Sequence, residues 1–144
     1  MTAAAESSLA KIVDTHEAAE AAHDAAGVAN TFAADGILDP KPTGATFSGP
    51  AAITTWYADL FKAFPDLAPA LVNRYQDGDV IIDEVEFSGT HNGPFLGIPA
   101  TGKPVKVAAS IVYEFANGAI ARESAYWDVA TMLIQMGVLP APTS

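Results

Sequence analysis

Residues 87–107, FSGTHNGPFLGIPATGKPVKV, decide the fold. The run opens on the end of a strand-forming segment and closes on another that begins at Val105. Between them stand Gly93-Pro94, Gly97, Pro99 and Thr101-Gly102-Lys103-Pro104. So much Gly and Pro between two β-prone runs predicts a long, shaped connection and not a tight hairpin. Phe95, Leu96 and Ile98 lie within it, so the connection is expected to fold back onto an apolar surface.

Outward from this stretch, 105–115 reads as a strand, and Asn117-Gly118 is a strong hairpin signal leading into a strand over 119–127. Asp128 is placed to cap a last helix that ends at Gly137. Upstream, Asp77-Gly78-Asp79 turns a strand over 67–75 into one over 80–90. Ser48-Gly49-Pro50 opens a helix with proline at its first position, and Pro65 ends it after Phe64. Ile53, Trp56, Tyr57, Leu60, Phe61 and Phe64 give that helix a broad apolar face. Residues 8–23 are helical by period, with Leu9, Ile12, Val13, Ala19 and Ala22 on one stripe. His16 falls on the stripe, with Glu20 and His23 next along it. Asp24 can cap a second short helix, and residues 36–39 form a short strand stopped by Pro40 and Pro42. Helices come early and antiparallel strands late, which defines an α+β fold in a single domain over 1–144. A strongly bent, mostly antiparallel sheet wrapped around the N-terminal helices would leave a cone with an open mouth, a common ligand site.

Composition narrows the function. A chain of 144 residues, half of them hydrophobic, can bury a real core. Its net charge of −10 repels phosphate backbones and anionic membranes, so neither nucleic acid nor a membrane is an expected partner. No apolar run is long enough to cross a bilayer, and residues 1–10 lack the pattern of a secretory signal. The chain has no cysteine, which removes disulfides, thiolate nucleophiles and Cys-based zinc sites, and the cytoplasm is the expected compartment. His16, His23 and His91 show no metal-ligand spacing, and no nucleotide-binding or GxSxG motif is present. Neither a metal nor a cofactor is expected.

The run GTHNGPFLGIPATGKPV, the Asn-Gly hairpin and the closing AYWDVATMLIQMGVLP resemble the SnoaL-like polyketide cyclase family of the NTF2-like superfamily. FAADGILDP, FSGPAAI and AFPDL fall in the family's order, so the resemblance spans nearly the whole chain. It implies a cone-shaped α+β domain, a homodimer formed through the open sheet, and a small hydrophobic molecule bound without a cofactor. It also implies the chemistry of the cyclases. There, an aspartate on the last strand removes a proton beside a carbonyl, a histidine on the preceding strand assists, and the enolate closes a ring. Aligned on Gly118, Ala125 stands at the aspartate position and Ile111 at the histidine position. The implied activity is cyclase- or isomerase-type acid/base chemistry on a small carbonyl compound. The alternatives are a non-catalytic ligand-binding module, or an epoxide hydrolase of the limonene-epoxide-hydrolase type, with an acidic pair bridged by arginine.

The last hairpin decides which side chains face the cone. A two-residue turn would pair Phe115 with Ile120; a three-residue loop with left-handed Gly118 would pair Phe115 with Ala119 and is the favoured reading. It groups Ile111, Tyr113 and Phe115 with Ala121, Glu123, Ala125 and Trp127, and sets Arg122 outward beside Glu114. Glu123 is then a carboxylate in apolar surroundings, where a raised pKa suits proton transfer. The other acid/base candidates are His91, Asp128 and Asp39. Each has a bland alternative: His91 as a loop brace, Asp128 as a helix cap, Asp39 as a turn-former beside Pro40. Ligand-contact candidates are Tyr113, Trp127, Trp56, Ile111, Ala125, Phe95 and His16, the last also suited to a satisfied core position.

Overall fold

The computed structural model describes residues 7–143. Four helices and an open, curved, six-stranded mixed sheet make the α+β fold expected from the sequence. Helix α1 (Ser8–Ala21) begins where the Ser7 hydroxyl accepts from the Ala10 amide. It turns Ala10, Val13, His16 and Glu20 inward. Helix α2 (Ala25–Ala29) is capped by Asp24 on the Gly27 amide; a Cβ on Gly27 would lie 2.3 Å from the Asp24 carboxyl and push the cap aside. Strand β1 (Phe32–Pro40) is longer than the sequence suggests and precedes a short 3-10 turn and a two-residue strand, β2 (Phe47–Ser48), that was not anticipated. Helix α3 (Pro50–Ala63) buries Ile53, Tyr57 and Phe61 and ends before Pro65.

Strands β3 (Ala68–Asp77), β4 (Val80–Thr90), β5 (Pro104–Ala116) and β6 (Ala119–Trp127) are antiparallel neighbours, and helix α4 (Val129–Gln135) closes the chain. The sheet order is β2-β1-β6-β5-β4-β3, with β1 parallel to β6. Burial alternates along β5: Val105, Val107, Ala109, Ile111, Tyr113 and Phe115 face the helices. That is the period of two of a sheet covered on one face.

The β4–β5 connection is anchored at several points. Asp66 accepts from the Thr90 amide and hydroxyl, and the Asn92 and Gly93 amides donate to the Ala63 carbonyl at the end of α3. Gly93 is required there, since a Cβ would stand 2.8 Å from the Lys62 carbonyl oxygen. Phe95 and Ile98 exchange amide hydrogen bonds around Leu96-Gly97, both at positive φ.

The favoured reading of the last hairpin is corrected. Asn117 and Gly118 both have positive φ and form a two-residue turn, pairing Ala116 with Ala119 and Phe115 with Ile120. The register then shifts: Glu114 pairs with Arg122 and Tyr113 with Glu123, leaving Ala121 as the extra residue of a β-bulge. The bulge restores inward placement of Glu123 and Ala125, and Ile120, not Ala119, opposes Phe115.

Candidate active site in the cone

Between α3, the inner face of the sheet and α4 lies a cavity of about 80 Å³. Its wall is aromatic and aliphatic, with Trp56, Phe64, Phe87, Phe95, Ile111, Ala125, Trp127 and Met132 among the lining residues. Its acidic members are Glu20 from α1 and Glu123 from β6. A carboxylate facing such a wall is costly unless it is paired or protonated, and the two are handled differently.

Glu123 is paired. His16 Nε2 lies 3.1 Å from its Oε1, and the Tyr57 hydroxyl donates to both carboxylate oxygens at 3.0 Å. The Thr31 hydroxyl spends its proton on the Val28 carbonyl at 2.7 Å, so it accepts from His16 Nδ1 at 2.9 Å. With Nδ1 bearing a proton, Nε2 satisfies Glu123 only as the second donor of an imidazolium. Burial works against that cation, but the charge and hydrogen bond of Glu123, with help from Glu20 and Asp83, raise the His16 pKa above its ordinary value. Burial, and then the Glu123 charge, push the Tyr57 phenol well above its ordinary value, so it remains a neutral donor.

Glu20 is handled by protonation. It is 5% exposed. Burial drives its pKa to about 7 against the pull of His16, and the Glu123 charge adds to the rise. The site thus holds one carboxylate locked in a hydrogen-bonded pair and one poised to exchange a proton at neutral pH.

The sequence candidates divide. Glu123, Trp127, Trp56, Ile111, Ala125 and Phe95 line the cavity. His16 and Tyr113 sit behind its lining, with their rings edge-on at 5.3 Å. His91, Asp128 and Asp39 are not brought to it, and their placement with Glu123 is corrected. His91 is fully buried, bonds Thr101 Oγ1 at 2.9 Å through Nδ1 and packs on Phe64; burial lowers its pKa. Asp128 is exposed and caps α4, accepting from the Thr131 hydroxyl and amide, contacts that lower its pKa. Asp39 lies between Leu38 and Pro40, both cavity residues, so strand alternation turns it to the outer face. There Lys41, at 2.7 Å, and Arg122 hold its carboxyl low. Arg122 is therefore bonded on the outer face, and an arginine-bridged acidic pair is not formed in the cavity among the described residues. Nor is any group of three or more His, Asp or Glu arranged for a metal among them.

Sequence reasoning missed Glu20 and Tyr57 as site residues. Glu20 had a visible signal: an ionisable residue on the apolar stripe of α1, one turn beyond His16. Tyr57 was indistinguishable from the core aromatics of α3.

A curved sheet wrapped around helices, with acid/base groups buried inside it, is the architecture of the NTF2-like fold. The chain belongs to the SnoaL-like polyketide cyclase family, whose model matches residues 10–136. No curated protein matches the sequence. Among solved structures it is similar to a protein from Jannaschia sp. CCS1 assigned to the SnoaL-like polyketide cyclases (19% identity, 97% of this chain, 99% of the other, TM-score 0.84). It is also similar to TsrD from Streptomyces laurentii (23% identity, 92% and 96%, TM-score 0.82). A protein of ketosteroid isomerase-like fold from Catenulispora acidiphila is a third (22% identity, 93% and 98%, TM-score 0.79). At these identities the likeness is one of fold.

Proposed function

We propose that the cavity carries out cofactor-independent proton transfer on a small hydrophobic carbonyl compound, as a cyclase or isomerase. The observation that carries this reading is Glu20: a carboxyl on the wall of an apolar cavity with a pKa of about 7. Such a group is partly ionised at neutral pH, and its proton affinity suits a general base. In the proposed step Glu20 takes a proton from the carbon beside the carbonyl, and the bonding pair moves onto the carbonyl oxygen. The resulting enolate either attacks a second carbonyl of the same molecule or is reprotonated by Glu20 at another carbon. Glu123, His16 and Tyr57 form a fixed charge pair beside the base. Trp127 Nε1 is buried without a hydrogen-bond partner in the described structure, and a ligand oxygen would satisfy it.

The cavity volume is about half of the ~150 Å³ that accommodates benzene in an apolar protein cavity. On the proposed reading the wall moves to admit a larger substrate. Trp56, Leu60 and Phe95 also line an open groove on the other side, with Pro94 and Val129, and they are the proposed gate.

The test begins with mass spectrometry of ligands that copurify with the protein, followed by turnover assays on those compounds and related ketones. Glu20→Gln is expected to lower kcat by about 10²–10⁴-fold while ligand affinity measured by calorimetry stays within a few-fold. An unchanged kcat removes Glu20 from the chemistry. One observation favours a binding module instead: Ile111 and Ala125, directly opposite each other on β5 and β6, occupy the cavity positions where the family's cyclases are expected to carry His and Asp. On that reading the wild-type protein binds the same ligands and returns them unchanged.

We also infer a homodimer formed through the outer face of the sheet. Val72, Tyr75, Ile82 and Tyr126 are exposed there, from three strands. Burial of such a patch is a usual driving force for association. Val72→Glu is expected to shift the mass in solution, measured by light scattering, from dimer to monomer.

A further inference from the structure

A second set of ionisable groups, centred on the buried Asp83, lies beside the candidate site and outside the cavity lining. Glu17 follows His16 on α1, and its Oε2 is buried with no donor to accept from among the described residues. Asp83, on β4, is fully buried because strand alternation sets it inward between Ile81 and Val85. Arg74 of β3 grips Asp83 with two parallel hydrogen bonds, Nε to Oδ1 at 2.7 Å and Nη2 to Oδ2 at 2.9 Å. Its Nη1 donates to Asp14 at 2.8 Å. Glu17 Oε1 is 3.8 Å from Nη2, beyond hydrogen-bond length.

Two carboxylates, both charged, in this space would leave Glu17 Oε2 as a buried acceptor beside another acceptor. A proton on that oxygen removes the conflict, because it turns an acceptor into a donor. The direction of the Glu17 equilibrium agrees: burial, then the hydrogen bond to Asp83 and the Asp83 charge, raise its pKa to about 9. The groups that face this pair are Asp14, His16 and Glu20 from α1, Arg74 from β3 and Tyr113 from β5. Of these, His16 is the one that meets Glu123, and the Asp83 charge is among the influences that keep it protonated.

We propose that Glu17 and Asp83 share one proton and act as a positioning pair for the site. Asp83 supplies a single fixed negative charge behind His16. Glu17, neutral, seats Asp83 without adding a second charge next to Glu20. Neither touches the ligand; both act through the imidazolium. The pair rests on the functional reading above only for its kinetic consequence.

The first measurement is carboxyl carbon NMR on the wild-type protein across pH 3 to 10. A Glu17 midpoint near 9 is expected; a midpoint in the ordinary glutamate range, near 4.5, overturns the shared proton. The second is the His16 imidazole titration. Asp83→Asn is expected to lower its midpoint by about 0.5–1 pH unit, the effect of removing one nearby charge, and an unchanged midpoint overturns the positioning role. Because Asp83→Asn strips Arg74 of a partner and can fail to fold, Glu17→Gln is the companion variant. Its amide donates to Asp83 as the acid does, so the His16 midpoint should stay within about 0.2 units, while the fall in stability between about pH 4.5 and 9, the window set by the raised Glu17 pKa, becomes smaller. An equally large fall in Glu17→Gln overturns the assignment. With a substrate in hand, the alkaline fall of kcat/KM near pH 9 should be lost in the same variant. The NMR readings need no turnover, so their failure counts against the pair alone, and intact activity in Glu20→Gln counts against the functional reading alone.

Discussion

The two long helices are each fourteen residues, yet they bring opposite materials to the interior. Helix α3 contributes Ile53, Tyr57 and Phe61, followed by Phe64, all nearly inaccessible. Complete burial of each such side chain stabilises the fold by about 1.5–3 kcal/mol. Helix α1 sets Val13 beside His16, Glu17 and Glu20, ionisable groups whose burial costs free energy that only pairing or protonation offsets. The difference shows a division of labour: α3 holds the cone together, and α1 carries charge into it. Tyr57 links the two, an α3 residue whose hydroxyl reaches Glu123 beside His16.

The largest effect expected from breaking this division is on α3. Ile53→Ala removes a fully buried side chain and should destabilise the protein by about 2–5 kcal/mol in urea denaturation. A loss below 1 kcal/mol would mean that α3 is not the structural member. On α1 the sign should reverse. Glu20→Met replaces a buried acid by an apolar chain of similar length and should stabilise by about 1–3 kcal/mol at pH 8. The pH dependence follows from the raised folded-state pKa. The Glu20 contribution is fully present below the unfolded value of 4.5 and is lost as pH rises through about 7. The wild-type stability curve should therefore fall across this window by an amount that the Met variant lacks, readable from thermal melts at successive pH values.

Smaller effects sharpen the contrast. Thr31→Val removes the acceptor for His16 Nδ1 and should cost about 1–2 kcal/mol, with a lowered imidazole midpoint by NMR. Ser7→Ala removes the α1 cap and should cost about 0.5–1 kcal/mol while leaving the His16 titration in place. A shift of that titration in Ser7→Ala would show that the charged face depends on helix ends and not on its inward contacts.

Much of the fold was legible because its signals are local. Asn117-Gly118 announced a hairpin, Pro50 and Pro65 bounded α3, and the Gly- and Pro-rich run at 91–104 announced a shaped loop. The parallel pairing of β1 with β6 was not legible, since it joins residues more than eighty positions apart with no local mark. The bulge at Ala121 was not legible either: alternation along β6 was read as continuous from the turn, and the extra residue was placed in the loop. The two errors of loop length and strand regularity compensate, so Glu123 was assigned to the correct face with the wrong turn. Asp39 shows the opposite failure. Its neighbours line the cavity, but its parity puts it outside. The cluster around Glu123 was half legible: His16 and Glu20 declare themselves as polar residues on an apolar stripe, whereas the Thr31 and Tyr57 contacts depend on packing between elements.

The Ile111–Ala125 pair has a use for protein engineering. The two residues sit opposite each other on adjacent strands, where Cβ atoms stand about 4.5–5.5 Å apart. Both open onto the cavity, and Ala125 has the smallest side chain that still has a direction. A histidine at 111 and an aspartate at 125 would face one another across β5 and β6 with the backbone unchanged. The cone is thus a ready host for an installed acid/base pair, placed by two codon changes.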